Sequence, residues 1–214
     1  MKNLFFVSLL GFLLMAGCVS IKPKNLTRST SGDISHIDVP ANLLGNFNKA
    51  LYTATLDIKK HHLSGLMLIK KMDSVPEVYR LVFANEFGMT YFDLEMKPDS
   101  FKVISCFEPL YNKALIKILE TDYRLLLSCY PKITSTTYQQ EKSRQIIISG
   151  DAGKIKFWKT YSATRDTLLS IAGKSNFADA AKINLSSYSK GFPTKIIILN
   201  QFIGMQQSLQ LLSK

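Results

Sequence analysis

The sequence predicts a mainly β domain with one helix set into its middle. Three observations carry this. Short segments alternate apolar and polar residues. Clusters of Gly, Pro, Asn and Asp separate them at near-regular intervals. Only one stretch, midway along the chain, places its apolar residues at helical spacing. The 214 residues are enough for one domain with a sizeable core and short for two.

The chain begins with Lys2 and an apolar run from Leu4 to Leu14, then Met15-Ala16-Gly17 and Cys18. A basic start, a short apolar core and small residues at the cut are the parts of a secretory signal. The cysteine directly after the small residues resembles a bacterial lipobox. That implies a signal peptide over 1–17, cleavage before Cys18 and lipidation of Cys18 by palmitate-type acyl chains. A plain signal with a chance cysteine stays open as the alternative. The apolar run is shorter than the ~20 residues a spanning helix needs. Residues 18–41 hold Lys22-Pro23-Lys24, a polar Thr27–Gly32 stretch and no sustained apolar period, so they read as a flexible tether. Residues 42–214 form the single folded domain.

The strands follow in order. Leu51 to Leu56 is a β-favouring segment, and Leu63 to Met72 is an apolar run around Gly65. Val78 to Ala84 puts Tyr79, Leu81 and Phe83 on one face and Arg80 on the other. Asn85-Glu86-Phe87-Gly88 is a turn. Met89 to Met96 sets Phe92, Leu94 and Met96 against Tyr91, Asp93 and Glu95. After a turn at Lys97–Ser100, Phe101 to Phe107 alternates again. This is an antiparallel meander with one apolar and one polar face.

Pro109 suits a first helical turn. From Tyr111 to Ser128, Tyr111, Leu115, Ile118, Asp122 and Leu125 share a helical stripe flanked by Ala114, Leu119 and Leu126, and Pro131 ends it. Tyr138 to Ser143 is polar and reads as a loop. Strands resume at Gln145–Ser149 and Lys154–Ser162, joined by a turn at Gly150–Gly153. Further strands are Leu168–Ala172, Ala180–Tyr188, Phe192–Asn200 and Ser208–Leu212. The total is about ten or eleven strands.

The net charge is +11, which falls by one with loss of Lys2. The basic residues are scattered, which favours a solvated surface over a nucleic-acid face, and export argues against nucleic acid. A helix between Cys106 and Cys129 would hold them more than about 20 Å apart, beyond the ~7 Å a disulfide allows between Cα atoms. Both are expected to be free, buried thiols. No GxSxG, HExxH, CxxC or Walker A sequence occurs. His61 and His62 project to opposite faces of a strand and make a poor chelate. Asp93 and Glu95 read as the outer face of an amphipathic strand. The expectation is a protein that is not an enzyme and uses no metal and no cofactor.

The order of lipobox, tether, meander, helix and further strands resembles the LolA/LolB lipoprotein-localisation factors, and their lipid-anchored LolB branch above all. The likeness rests on Tyr79-Arg80-Leu81-Val82-Phe83-Ala84-Asn85-Glu86-Phe87-Gly88 running into Phe92-Asp93-Leu94, and on Phe192-Pro193-Thr194-Lys195-Ile196-Ile197-Ile198. It implies an incomplete, half-open antiparallel β-barrel with a helical lid over an apolar cavity for acyl chains. Tyr79, Leu81, Phe83, Phe92, Leu94, Met96, Phe101 and Val103 would line that cavity. Leu115, Ile118 and Leu119 would cover it. The same residues suit a closed core equally well. Phe87, at a hairpin tip, is the candidate for a membrane-touching loop.

The expected function is that of a lipoprotein anchored in the bacterial outer membrane and facing the periplasm. It would bind acyl chains or lipoproteins for transport or localisation, with a periplasmic carrier protein as a possible partner. The alternative is a structural or assembly lipoprotein that holds a protein partner on its sheet surface around a closed core.

Overall fold

In the computed structural model the described residues are 27–28, 48–72, 78–130, 134–139, 144–164, 166–175 and 181–213. Among them thirteen strands form one antiparallel sheet. The first half comprises β1 (Thr27–Arg28), β2 (Lys49–Ile58), β3 (His61–Lys71), β4 (Tyr79–Ala84), β5 (Thr90–Met96) and β6 (Phe101–Cys106). A single α-helix, α1 (Lys113–Leu127), follows. Then come β7 (Thr134–Gln139), β8 (Ile146–Ala152), β9 (Ile155–Tyr161), β10 (Leu168–Ser175), β11 (Ala181–Ser189), β12 (Phe192–Asn200) and β13 (Met205–Ser213). The order across the sheet is β1-β7-β8-β9-β10-β11-β12-β13-β2-β3-β4-β5-β6. Among the described residues no ladder joins β6 back to β1 or β7. The architecture is therefore an incomplete barrel, and α1 lies in the chain between strands near its two open edges.

The strands form where alternation predicts them, and their burial alternates accordingly, as in β4 and β9. The differences have local causes. Tyr138 and Gln139 are in β7 and not in a loop, because a strand whose sequence holds no aliphatic residue carries no period-two signal. β8 runs through Gly150–Ala152, so the turn is only Gly153-Lys154. Within the segment read as a tether, Thr27 and Arg28 pair with Gln139 and Tyr138. The rest of that segment, and Cys18, lie outside the described residues. Tyr91 was expected on the outer face, yet it is buried. A bulge opposite Phe83–Ala84 turns it so that its ring lies 4.8 Å from that of Phe83.

The helix also starts later than its apolar spacing suggests. Pro109 sits in a separate 3-10 turn, Glu108–Leu110, and Tyr111 is 67% exposed outside the helix. Asn112 is the N-cap, its side chain accepting from the backbone N–H of Ala114 at 2.9 Å and of Leu115 at 3.5 Å. Ser128 closes the helix in the left-handed conformation at φ 55°. Leu115, Ile118, Leu119, Asp122, Leu125 and Leu126 are buried as predicted.

The sheet curls around this helix. Tyr123 faces Phe92 of β5, with ring centroids 6.1 Å apart, while α1 packs mainly on β10, β11 and β12. Gly173 in β10 permits the close approach: a Cβ there would lie 2.5 Å from Leu125 Cδ2. The buried apolar side chains of both halves and of α1 form one continuous core. Cys106 and Cys129 form no disulfide; Cys129 is buried, but Cys106, at the end of edge strand β6, is only half-buried.

Candidate functional site

The eleven residues expected to line or cover a cavity come together. Tyr79, Leu81 and Phe83 of β4 and Phe92, Leu94 and Met96 of β5 face inward and are buried, with Leu115, Ile118 and Leu119 of α1 in the same cluster. Phe101 and Val103 of β6 are partly buried against it, as befits an edge strand. The helix fills the concave side of the sheet in this conformation, so these side chains pack on one another. Neither of the clefts described below is lined by any of them.

The helix is held in place by polar contacts as well as apolar ones. Arg124 is 7% exposed. Its Nε donates to Glu120 Oε1 at 3.0 Å, its Nη1 to the carbonyls of Lys97, Pro98 and Cys129, and its Nη2 to that of Ser100 at 3.0 Å. Tyr123 Oη donates to Gln207 Oε1 of β13 at 2.6 Å. Asn200 Nδ2 of β12 donates to Asp122 Oδ1 at 3.3 Å. Burial pushes the Asp122 carboxyl up to about 8. Lys159 of β9 donates to Ser128 Oγ at 2.7 Å, beside the helix C-terminus where positive charge is favoured. Burial draws that ammonium down to about 8.

A cleft of about 410 Å³ opens over the outer side of α1. Pro98 and Asp99 of the β5–β6 turn form one wall, and Gly153 and Lys154 of the β8–β9 turn form another. Lys117, Arg124 and Tyr130 contribute from the helix and the residues after it. The two turns belong to strands near opposite edges of the sheet, so the cleft lies across the gap that the sheet leaves open. A second, shallower cleft of about 270 Å³ involves Thr53, Ser64, Glu86 and Lys195.

Phe87 is 95% exposed at the tip of the β4–β5 hairpin. The tip is firmly built. Asn85 Oδ1 accepts from Phe87 N at 3.0 Å and Met89 N at 2.8 Å, and Gly88 takes the positive φ of 84° that the turn requires. Met89 beside it and Phe107 at the exit of β6 are also exposed. Asp93 lies on the outer sheet face in a fork with Arg80, whose Nη2 donates to Oδ2 at 2.6 Å, and Glu95 pairs with Lys97. His62 pairs with Asp57, and no group of three or more potential metal ligands occurs among the described residues. No described helix is long and apolar enough to cross a membrane.

Sequence reasoning missed Arg124, Asn200 and Gln207. A charged residue inside the run Tyr123–Leu127 was the available signal for Arg124. Nothing local marked the other two, which acquire their partners only through the fold.

No family model matches the sequence, and no curated protein matches it. Among solved structures, the chain is similar to a DUF1329 family protein from Desulfovibrio piger ATCC 29098. The identity is 9% and the TM-score 0.46, covering 78% of this chain and 85% of that chain.

Proposed function

We propose that this protein is a membrane-anchored lipoprotein that binds the acyl chains of lipids or lipoproteins, in transport or localisation at the bacterial outer membrane. The observation that carries the reading is a sheet that stops short of closure, with an apolar concave face covered by one helix. Such a helix can act as a lid. When it moves, apolar side chains on β4 and β5 are uncovered, and an acyl chain replaces the contacts they lose. Burying cargo contributes ~0.8 kcal/mol per CH₂ group. The cleft between the β5–β6 and β8–β9 turns supplies an entrance. Cys18 would carry the anchor and keep the domain at high local concentration beside the membrane, facing the periplasm. Phe87, rigidly presented on its hairpin, would dip into the lipid surface while cargo passes from a periplasmic carrier.

The test is mass spectrometry of gently purified full-length protein, together with uptake of an environment-sensitive fluorescent fatty acid. Co-purifying lipid, or saturable uptake displaced by unlabelled fatty acid, is the expected result. Absence of both would overturn the reading. One observation favours a second reading, a structural lipoprotein with a closed core: the interior is already filled by α1. Under it, no lipid is found and one stoichiometric protein partner co-purifies.

A further inference from the structure

Asp122 is fully buried, and its one side-chain partner is the equally buried Asn200. Its Oδ2 has no hydrogen-bond partner among the described residues. The same is true of Oδ1 of Asn200, the residue whose amide already donates to the other oxygen of Asp122. Two unpaired acceptors therefore sit on one hydrogen-bonded pair of side chains. A single proton removes both deficits. Placed on Asp122 Oδ2, it makes that oxygen a donor to Asn200 Oδ1 and closes a ring of two hydrogen bonds between a carboxylic acid and a carboxamide.

We infer that Asp122 is protonated in the folded protein and forms a cyclic acid–amide pair with Asn200, a latch that fastens α1 to β12 and is released by loss of that proton. The charged groups around it leave the carboxylate without a counterion. On α1, Arg124 is committed to Glu120 and four backbone carbonyls, and the Tyr123 hydroxyl donates to Gln207. On the strands packed against the helix, Lys174 of β10, Lys182 of β11 and Lys195 of β12 are exposed. Tyr188 of β11 donates to the Leu168 carbonyl. Lys159 of β9 donates to Ser128 Oγ at the helix C-cap, six residues beyond Asp122. An ionised carboxylate here would have one neutral hydrogen bond to offset burial, which is a costly arrangement. The rise of its pKa, from 3.8 to about 8, has the same cause.

The sign of the effect follows. Between roughly pH 4 and pH 8 the folded chain holds a proton on Asp122 that the unfolded chain has lost, so stability falls as pH rises. The unfolding constant should gain about tenfold per pH unit through this group, and the contribution should level off above about pH 8. Lys159 contributes in a separate window above that range.

The experiment uses the full chain and its Asp122→Asn variant. An amide at this position can make the same two hydrogen bonds without titrating. Urea unfolding across the range should show a stability profile in D122N that is shallower by one proton and higher than the wild type at pH 8. Carbon-13 NMR of labelled aspartate carboxyls in the wild type should show one group titrating near pH 8, which keeps the inference testable if D122N fails to fold. Parallel pH profiles for the two chains, or the titration of every resolved aspartate below pH 6, would overturn it. Neither outcome depends on lipid binding.

Discussion

Two buried charged-type residues stand two positions apart on α1, and the structure treats them in opposite ways. Arg124 spends its donors on Glu120 and on four backbone carbonyls of the β5–β6 turn and the chain after the helix. Asp122, on the side facing β12, has one hydrogen bond of 3.3 Å. A guanidinium stays charged at any ordinary pH and presents a rigid fork, so it makes a permanent fastening. A fully buried carboxyl with one hydrogen bond changes state, so its fastening is conditional. The helix is thus pinned on one side and latched on the other, which is the asymmetry a hinged lid requires.

The largest test of the comparison removes the pin. Arg124→Met strips the partner from the carbonyls of Lys97, Pro98, Ser100 and Cys129 and leaves Glu120, in a half-buried position, with Lys117 as its remaining cation. Leaving a buried acceptor without its donor costs about 1–3 kcal/mol, so losing four such donations should cost about 3 kcal/mol or more. Urea denaturation should read that loss. The pH slope assigned to Asp122 should survive it, because the two fastenings are independent. If R124M also abolished the slope, they would be one network.

Crowding the latched side should cost less. In Gly173→Ala the new methyl meets Leu125 Cδ2 at 2.5 Å, and the Leu125 side chain or the helix that carries it has to shift away from β10. Overpacking of this kind costs about 1–3 kcal/mol. Amide exchange should quicken on the Leu125 side of α1 and stay slow at Arg124. Tyr123→Phe is milder again. It leaves Gln207 Oε1 without its donor beside an Nε2 that is already unpaired. A loss of about 1–2 kcal/mol is expected, equal at pH 5 and pH 9, since neither residue titrates in that range. A pH-dependent loss would shift the latch from Asp122 toward the tyrosine.

The sequence carries the two fastenings unequally. Asp122 falls on the buried stripe with Leu115, Ile118 and Leu125, so helical periodicity alone marks it as an acid in the core. Asn200 closes the apolar strand from Phe192 and looks like an ordinary strand end. Its role exists only because β12 lies under α1 in the sheet order, and long-range pairing leaves no local trace. The strands of the meander were legible because each buries one face, whereas the sequence Thr134–Gln139 holds no aliphatic residue and offers no apolar alternation to read. The same limit applies to the interior. Alternation identified the inward residues of β4 and β5, and only the position of α1 decides whether they meet a cavity or a helix.

The smallest expected effect on stability tests a region that neither fastening touches. Phe87 lies at the end of the β4–β5 hairpin, 95% exposed, with its turn fixed by the Asn85 side chain and by Gly88. Phe87→Ser removes no core contact and no hydrogen bond, because the turn uses only the Phe87 backbone N–H. Its unfolding free energy should stay within about 0.5 kcal/mol of the parent. Under the proposed function its effect appears elsewhere. Co-sedimentation of the unlipidated domain with phospholipid vesicles should weaken severalfold in F87S and stay unchanged in Y123F, which alters only the helix–sheet contact. A comparable change in Y123F would mean that vesicle binding depends on how α1 is held to the sheet and not on the hairpin alone. No weakening in F87S would remove the hairpin from membrane contact and leave Cys18 as the proposed attachment to the bilayer.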